Sequence, residues 1–173
     1  PAGSLPLLVD AALAFGSGTH PTTEGCLRAL QLIPGTPPRR VLDMGCGSAI
    51  LAIAAHRKWP AAMITAADND PVAIRVAATN RRLNHISPAT MHLALSNGFS
   101  SRHVRQSALY DVILANILAR PLMRMAPDLC PHLARRGWLI LAGILNDQAV
   151  AVRNAFQAQT LRCWHKIRIG EWT

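Results

Sequence analysis

The chain has 173 residues, enough for one full core and too few for two ordinary domains, and its 50% hydrophobic and 16% charged content marks it as globular. No apolar run approaches the roughly 20 residues needed to cross a bilayer and no signal peptide is visible, while Cys26, Cys46, Cys130 and Cys163 form no C-x-x-C pair, which argues against a metal centre or a disulfide scaffold and for reduced thiols in a cytoplasmic protein. A formal charge of +9, nearly all of it arginine, reads either as a field that draws the chain toward nucleic acid or a ribonucleoprotein surface, where a weak contact with rRNA is the expectation, or as a solvated, arginine-biased surface. No basic stretch interleaved with aromatics is read here, and Tyr110 is the only tyrosine, so a stacking platform for single strands is not expected. The missing initiator Met suggests a processed or excised chain.

Residues 1–38 read as an N-terminal loop and helix, and residues 39–173 as the core of the same single domain. The segment Phe15-Gly16-Ser17-Gly18-Thr19-His20-Pro21 precedes a helix predicted from Thr22 to Leu32, with Thr22 or Thr23 available to cap it. After a short linker at 36–39, strand-like and helix-like runs alternate, which is the sequence form of a parallel sheet with crossover helices. The pattern predicts strands over 40–44, 63–67, 90–93, 110–115, 138–142 and 161–169. Helices are predicted over 49–58, 71–83, 121–133 and 147–157, with Asp70-Pro71 as N-cap and first helical residue. Residues 96–107 read as a long loop. The fold class is therefore α/β, a doubly wound, mostly parallel sheet.

The first strand ends in Asp43-Met44-Gly45-Cys46-Gly47-Ser48. A strand opening directly onto a Gly-x-Gly turn brings backbone close to a ligand, because two residues lack a Cβ. Asp68 ends the next apolar run, where nucleotide folds carry a ribose-binding carboxylate, and its two oxygens can accept from vicinal hydroxyls. A dinucleotide site requires a third glycine for helix–strand packing around pyrophosphate, and here that place is Ile50. The G-x-x-x-x-G-K-[ST] phosphate loop is absent as well. A nucleoside without phosphate, S-adenosylmethionine, fits this pattern, with its ribose on Asp68 and its amino-acid end over the Gly45–Gly47 turn. Asp43 is a candidate either for contact with the cofactor or for capping.

Four strings carry a resemblance to a known family: Ala14-Phe15-Gly16-Ser17-Gly18-Thr19-His20-Pro21-Thr22-Thr23, the turn at 41–48 continuing through Ile50-Leu51-Ala52-Ile53-Ala54, Ala115-Asn116-Ile117-Leu118-Ala119, and Gly143-Ile144-Leu145. In order and spacing the chain resembles the PrmA family, the S-adenosylmethionine-dependent methyltransferases of large-subunit ribosomal protein eleven. The resemblance implies a seven-stranded, Rossmann-like methyltransferase sheet with Thr23, Gly45, Asp68 and Asn116 as cofactor-binding positions, to which the residues add Phe15, Gly16, Gly18, Asp43 and Gly47. It further implies that the last strand is only starting at Glu171-Trp172-Thr173 and that the family's N-terminal docking domain is not included. Position 49 is Ala where the family usually has Gly. As a good helix former it is expected to cost little. Position 17 is Ser where the family usually has Thr, which keeps the hydroxyl.

Methyl transfer from a sulfonium is one in-line displacement, so the protein has mainly to align acceptor and methyl about 3 Å apart. A lysine acceptor must first lose its proton, which at pH 7 costs about 4.6 kcal/mol from a pKa near 10.4. Partial desolvation favours the neutral amine. Asn116, the candidate catalytic residue, has a carbonyl able to accept from that amine. Its bland alternative is to cap the helix that follows. The reading is a protein amine methyltransferase acting on a lysine side chain or N-terminal amine of a large-subunit ribosomal protein. An RNA or small-molecule methyltransferase of the same fold, or a cofactor-binding module without turnover, are the alternatives.

Overall fold

The computed structural model describes residue 8, residues 20–106 and residues 109–173. Within them five strands, β1 (Arg40–Met44), β2 (Met63–Asp68), β3 (Met91–Leu95), β4 (Tyr110–Asn116) and β5 (Leu133–Ala142), form one all-parallel sheet in the order β3-β2-β1-β4-β5. Six helices connect or flank them: α1 (Pro21–Leu32), α2 (Ile50–Lys58), α3 (Pro71–Leu83), α4 (Arg102–Gln106), α5 (Ala119–Leu129) and α6 (Ala149–Gln157). The doubly wound sheet is thus observed, with five strands among the described residues where the resemblance implied seven.

Strand alternation divides the core into two layers. Val41, Ile64, Ala66, Val112 and Leu114 face one side and pack with α1, α2 and α3, while Leu42, Met44, Ala67, Ile113 and Ala115 face the other with α5 and α6. Connections from β1 run outward to β2 and β3. The chain then crosses back to β4, so the topological switch lies between the C-terminal ends of β1 and β4, where open α/β sheets bind ligands. At the opposite ends of these two strands, Asp111 Oδ2 accepts from the backbone N–H of Arg39 at 2.7 Å and of Arg40 at 3.0 Å, clasping β1 to β4.

Four sequence expectations change. The predicted helix over 121–133 begins at Ala119 and ends at Leu129, because Pro121 falls in the first turn, where its missing N–H is not needed, and Cys130–His132 tighten into a 3-10 turn. β5 consequently starts at Leu133 rather than 138. Its register on β4 jumps from Tyr110↔Leu133 to Val112↔Trp138, a bulge that holds Arg136 at φ 67°. The predicted strand over 161–169 is not a strand. It alternates as one, but among the described residues it has no ladder to a neighbour and only its Ile169 forms an isolated bridge, to Trp172. The loop read over 96–107 includes α4, whose Val104 carbonyl accepts the buried Tyr110 hydroxyl at 2.9 Å.

Candidate functional site at the switch point

The turn after β1 is built from backbone conformations that side chains resist. Gly45 (φ 72°), Gly47 (φ 52°) and Ala49 (φ 63°) all lie in the left-handed region. A Cβ on Gly45 would overlap Ile117 Cγ2, and one on Gly143 (φ 81°) would stand 2.5 Å from the Ile117 carbonyl oxygen. Two glycines after β1 and β5 therefore let the β4 exit, Asn116-Ile117, settle between them. Ala49 corrects an expectation: it precedes α2 as a left-handed N-cap rather than serving as a helical residue, so its methyl is strained and its helix propensity is irrelevant.

Asp68 turns toward this elbow. Its Oδ2 accepts from Gly47 N–H at 2.9 Å and its Oδ1 from Asp70 N–H at 3.0 Å, leaving each oxygen a further lone pair for a hydroxyl. Gly45 and Cys46 give their N–H groups to the Ala67 carbonyl at 2.8 and 3.0 Å. The elbow at Gly45, Cys46 and Gly47 thus offers close approach rather than free donors. Together with Asp68, Asn69, Thr23, Ile50, Leu51, Asn116 and Ile117 it lines a cavity of about 220 Å³. Ile50 supplies an apolar wall where a phosphate would need donors.

Four buried side-chain nitrogen or oxygen atoms among the described residues have no hydrogen-bond partner, and two of them, Thr23 Oγ1 and Asn116 Oδ1, belong to residues lining this cavity. Buried polar atoms are normally paired, so two orphans at one cavity mark where a polar ligand belongs. Neither residue takes the capping role open to it in the sequence. His20 caps α1, accepting from Thr22 N–H through Nδ1 at 3.3 Å, and Leu118 occupies the N-cap of α5. His20 also meets Trp172 edge to face at 5.1 Å, outside the cavity lining.

Asp43 is placed elsewhere. It is 1% exposed, does not line the cavity, and accepts from Ala52 N–H at 2.9 Å, which serves the start of α2 that Ala49 has no side chain to cap. Burial pushes its carboxyl up to about 7, against the Ala52 hydrogen bond and with help from the Asp68 charge. Burial likewise raises the Cys46 thiol, which befits a filler rather than a nucleophile. Phe15, Gly16 and Gly18 lie outside the described residues. Sequence reasoning did not single out Asn69, Leu51 or Ile117 as lining residues, Thr23 became a cofactor position only through the resemblance, and Asn116 was reached both through it and through the carbonyl it offers an incoming amine. Ile117 had a signal in retrospect, the glycines at 45 and 143 that it packs against.

A larger groove of about 930 Å³ lies between α1, β5, α6 and residues 157–173 and shares no described residue with the cavity at the elbow. Its rim carries Arg135, Arg136, Arg153, Arg162, Lys166 and Arg168, and Trp164, 60% exposed, meets Trp138 at 4.9 Å. Residues 162–168 thus do join an aromatic to basic side chains, contrary to the expectation from sequence.

Residues 2–173 match the family model described as ribosomal protein L11 methyltransferase (PrmA). The chain belongs to the PrmA family. It is 45% identical over 161 residues to the ribosomal protein L11 methyltransferase of Mesorhizobium japonicum, covering 92% of this chain and 55% of that protein. The Rhizobium leguminosarum bv. trifolii protein of the same name is 45% identical over 171 residues, 98% of this chain and 58% of that one. The chain thus spans little more than half the length of these PrmA relatives. The crystal structure of the ribosomal protein L11 methylase of Lactobacillus delbrueckii subsp. bulgaricus superposes with a TM-score of 0.84 at 30% identity, over 98% of this chain and 86% of that one. A precorrin-6y C5,15-methyltransferase from Geobacter metallireducens, at 16% identity and a TM-score of 0.70, shares the fold.

Proposed function

We propose that the cavity at the elbow binds S-adenosylmethionine and that the chain is the catalytic domain of an enzyme that methylates amino groups of ribosomal protein L11. The observation that carries this reading is the pair of orphaned buried oxygens, Thr23 Oγ1 and Asn116 Oδ1, at a cavity that also holds Asp68 and the glycine elbow. At about 220 Å³ the cavity bounded by the described residues is smaller than the roughly 300–1,000 Å³ of a site that engulfs its ligand. When bound, the cofactor supplies an electrophilic methyl on a sulfonium.

The chain's own residues have three tasks. The free lone pairs of Asp68 accept from the two ribose hydroxyls, and the elbow, with no side chain at Gly45 or Gly47, admits the ligand against β1. The Thr23 hydroxyl gives or takes one hydrogen bond. Asn116 Oδ1, at the tip of β4, accepts from the incoming amine and orients its lone pair, a task suited to an oxygen with no other partner. Its neighbour Ile117 provides the apolar surface that favours a neutral amine over an ammonium. A lysine side chain or an N-terminal amine meets these requirements. The basic rim around Trp164 supports a weak, accessory contact with rRNA, separate from the catalytic cavity.

Calorimetry with S-adenosylmethionine on the wild type, Asp68→Ala and His20→Ala tests the pocket. Binding is expected to disappear in the first variant and to persist nearly unchanged in the second. Label from the methyl-tritiated cofactor is expected in L11 within large ribosomal subunits. Label confined to rRNA would overturn the protein substrate, and binding without label would favour a module without turnover.

A further inference from the structure

Helix α3 and its C-cap carry two asparagines on the buried side, Asn80 at 0% and Asn84 at 2% exposure. Neither lines the cavity, and an amide placed this deep destabilises the fold unless its donors and acceptor are used. Asn80 Nδ2 donates to the Ser48 carbonyl at 2.9 Å. Ser48 sits between Gly47 and Ala49, both left-handed, in the elbow whose Gly47 N–H reaches Asp68. Asn84 Nδ2 donates to the Asn80 carbonyl at 2.8 Å and to the Leu8 carbonyl at 2.6 Å, and Asn84 Oδ1 accepts from Leu8 N–H at 3.3 Å. One amide thus grips both backbone groups of a residue 76 positions earlier, as a neighbouring strand would.

We propose that Asn80 and Asn84 are positioning residues forming a relay, from the backbone at the exposed Leu8 through the buried residue 80 to Ser48, that sets the elbow's geometry for its ligand. Three consecutive links run in one line, and each joins a side-chain amide to main chain. Moving the chain at Leu8 therefore alters the constraint on Ser48, and with it the Gly47–Asp68 bond. The part of the proposal concerning affinity rests on the cofactor reading above, whereas the relay itself does not.

The test uses the full chain with Asn80→Ala, Asn84→Ala, the double variant, and Phe156→Ala in α6 as a destabilised control. Two quantities are read: hydrogen exchange of the Gly47 amide by NMR, and calorimetric affinity for S-adenosylmethionine. Losing one buried hydrogen bond corresponds to about tenfold in an equilibrium, so Asn80→Ala is expected to speed Gly47 exchange and weaken affinity by about tenfold, and Asn84→Ala by about threefold. The double variant should match Asn80→Ala alone, since Asn84 acts through residue 80. Phe156→Ala should lower Tm while leaving both readouts near wild type.

Wild-type exchange at Gly47 in Asn84→Ala, or independent, multiplying effects in the double variant, would overturn the relay. Should the wild type fail to bind the cofactor, the pocket assignment falls and exchange alone still decides the relay. If Asn80→Ala does not fold, exchange at Gly47 in Asn84→Ala decides it in the same way.

Discussion

The two flanks of β4 are built in opposite ways. Toward β1, strands pair in register, the elbow's N–H groups at 45, 46 and 47 are all engaged, and the unpaired side-chain oxygens at the exit are those of the proposed site. Toward residues 157–173, β5 is the sheet's edge, bulged in the middle, and the alternating segment beside it has no ladder and is mostly exposed. Period-2 alternation, the contrast shows, specifies a face but not a neighbour. A run becomes a strand only where another strand supplies hydrogen bonds on its edge.

Proline separates the two flanks most severely. Leu114→Pro removes a ladder donor from β4, an interior strand, and is expected to leave no cooperative unfolding transition in calorimetry, whereas Lys166→Pro in the unpaired segment should cost less than about 1 kcal/mol. Gly143→Ala comes next. Its methyl meets backbone that cannot rotate away, at a left-handed φ, so a loss of about 3 kcal/mol is expected in denaturant unfolding, with cofactor affinity falling as Asn116 is displaced.

Asp43→Asn probes the ordered flank through pH. Because burial raises the Asp43 carboxyl from 3.8 to about 7, the folded state keeps a proton that the unfolded chain releases. Stability from this group therefore falls as pH rises between about 4 and 7 and is level above that window. Asn keeps an acceptor for Ala52 N–H without the charge. Its Tm is expected to lose that slope, and to equal or exceed the wild type at pH 8. The smallest effect is Ala49→Gly, which should gain about 1 kcal/mol in urea unfolding by relieving the left-handed strain.

Much of the β1 side was legible in the residues. Strands β1 and β2 are short apolar runs that end at Gly45 and Asp68, β4 is an apolar run that ends at Asn116, and Asp70-Pro71 is a helix start that needs no tertiary context. The elbow and Asp68 were legible for the same reason, since their chemistry is local. Three features were hidden because each depends on a partner distant in sequence. The conformation of Ala49 follows from the elbow rather than from propensity. Asn80 reads as a surface residue of a helix until Ser48 is brought beside it, 32 positions away. The start of β5 at Leu133 and the unpaired state of 161–169 are decided by what lies at the sheet edge. Sequence pattern alone could not separate an alternating strand from an alternating coil.

The clasp at Asp111 has a consequence for the proposed pocket at the other end of the sheet. Parallel strands keep a common rise of roughly 3.3 Å per residue, so fixing where β1 enters beside β4 also fixes the relative height at which Gly45 and Asn116 emerge, roughly 20 Å away. A slip of one residue would carry Asn116 to the opposite layer and bury its oxygen among the side chains of α5. A half-buried carboxylate at the far end of the strands thus works as the ruler by which the two sides of the proposed pocket are brought level.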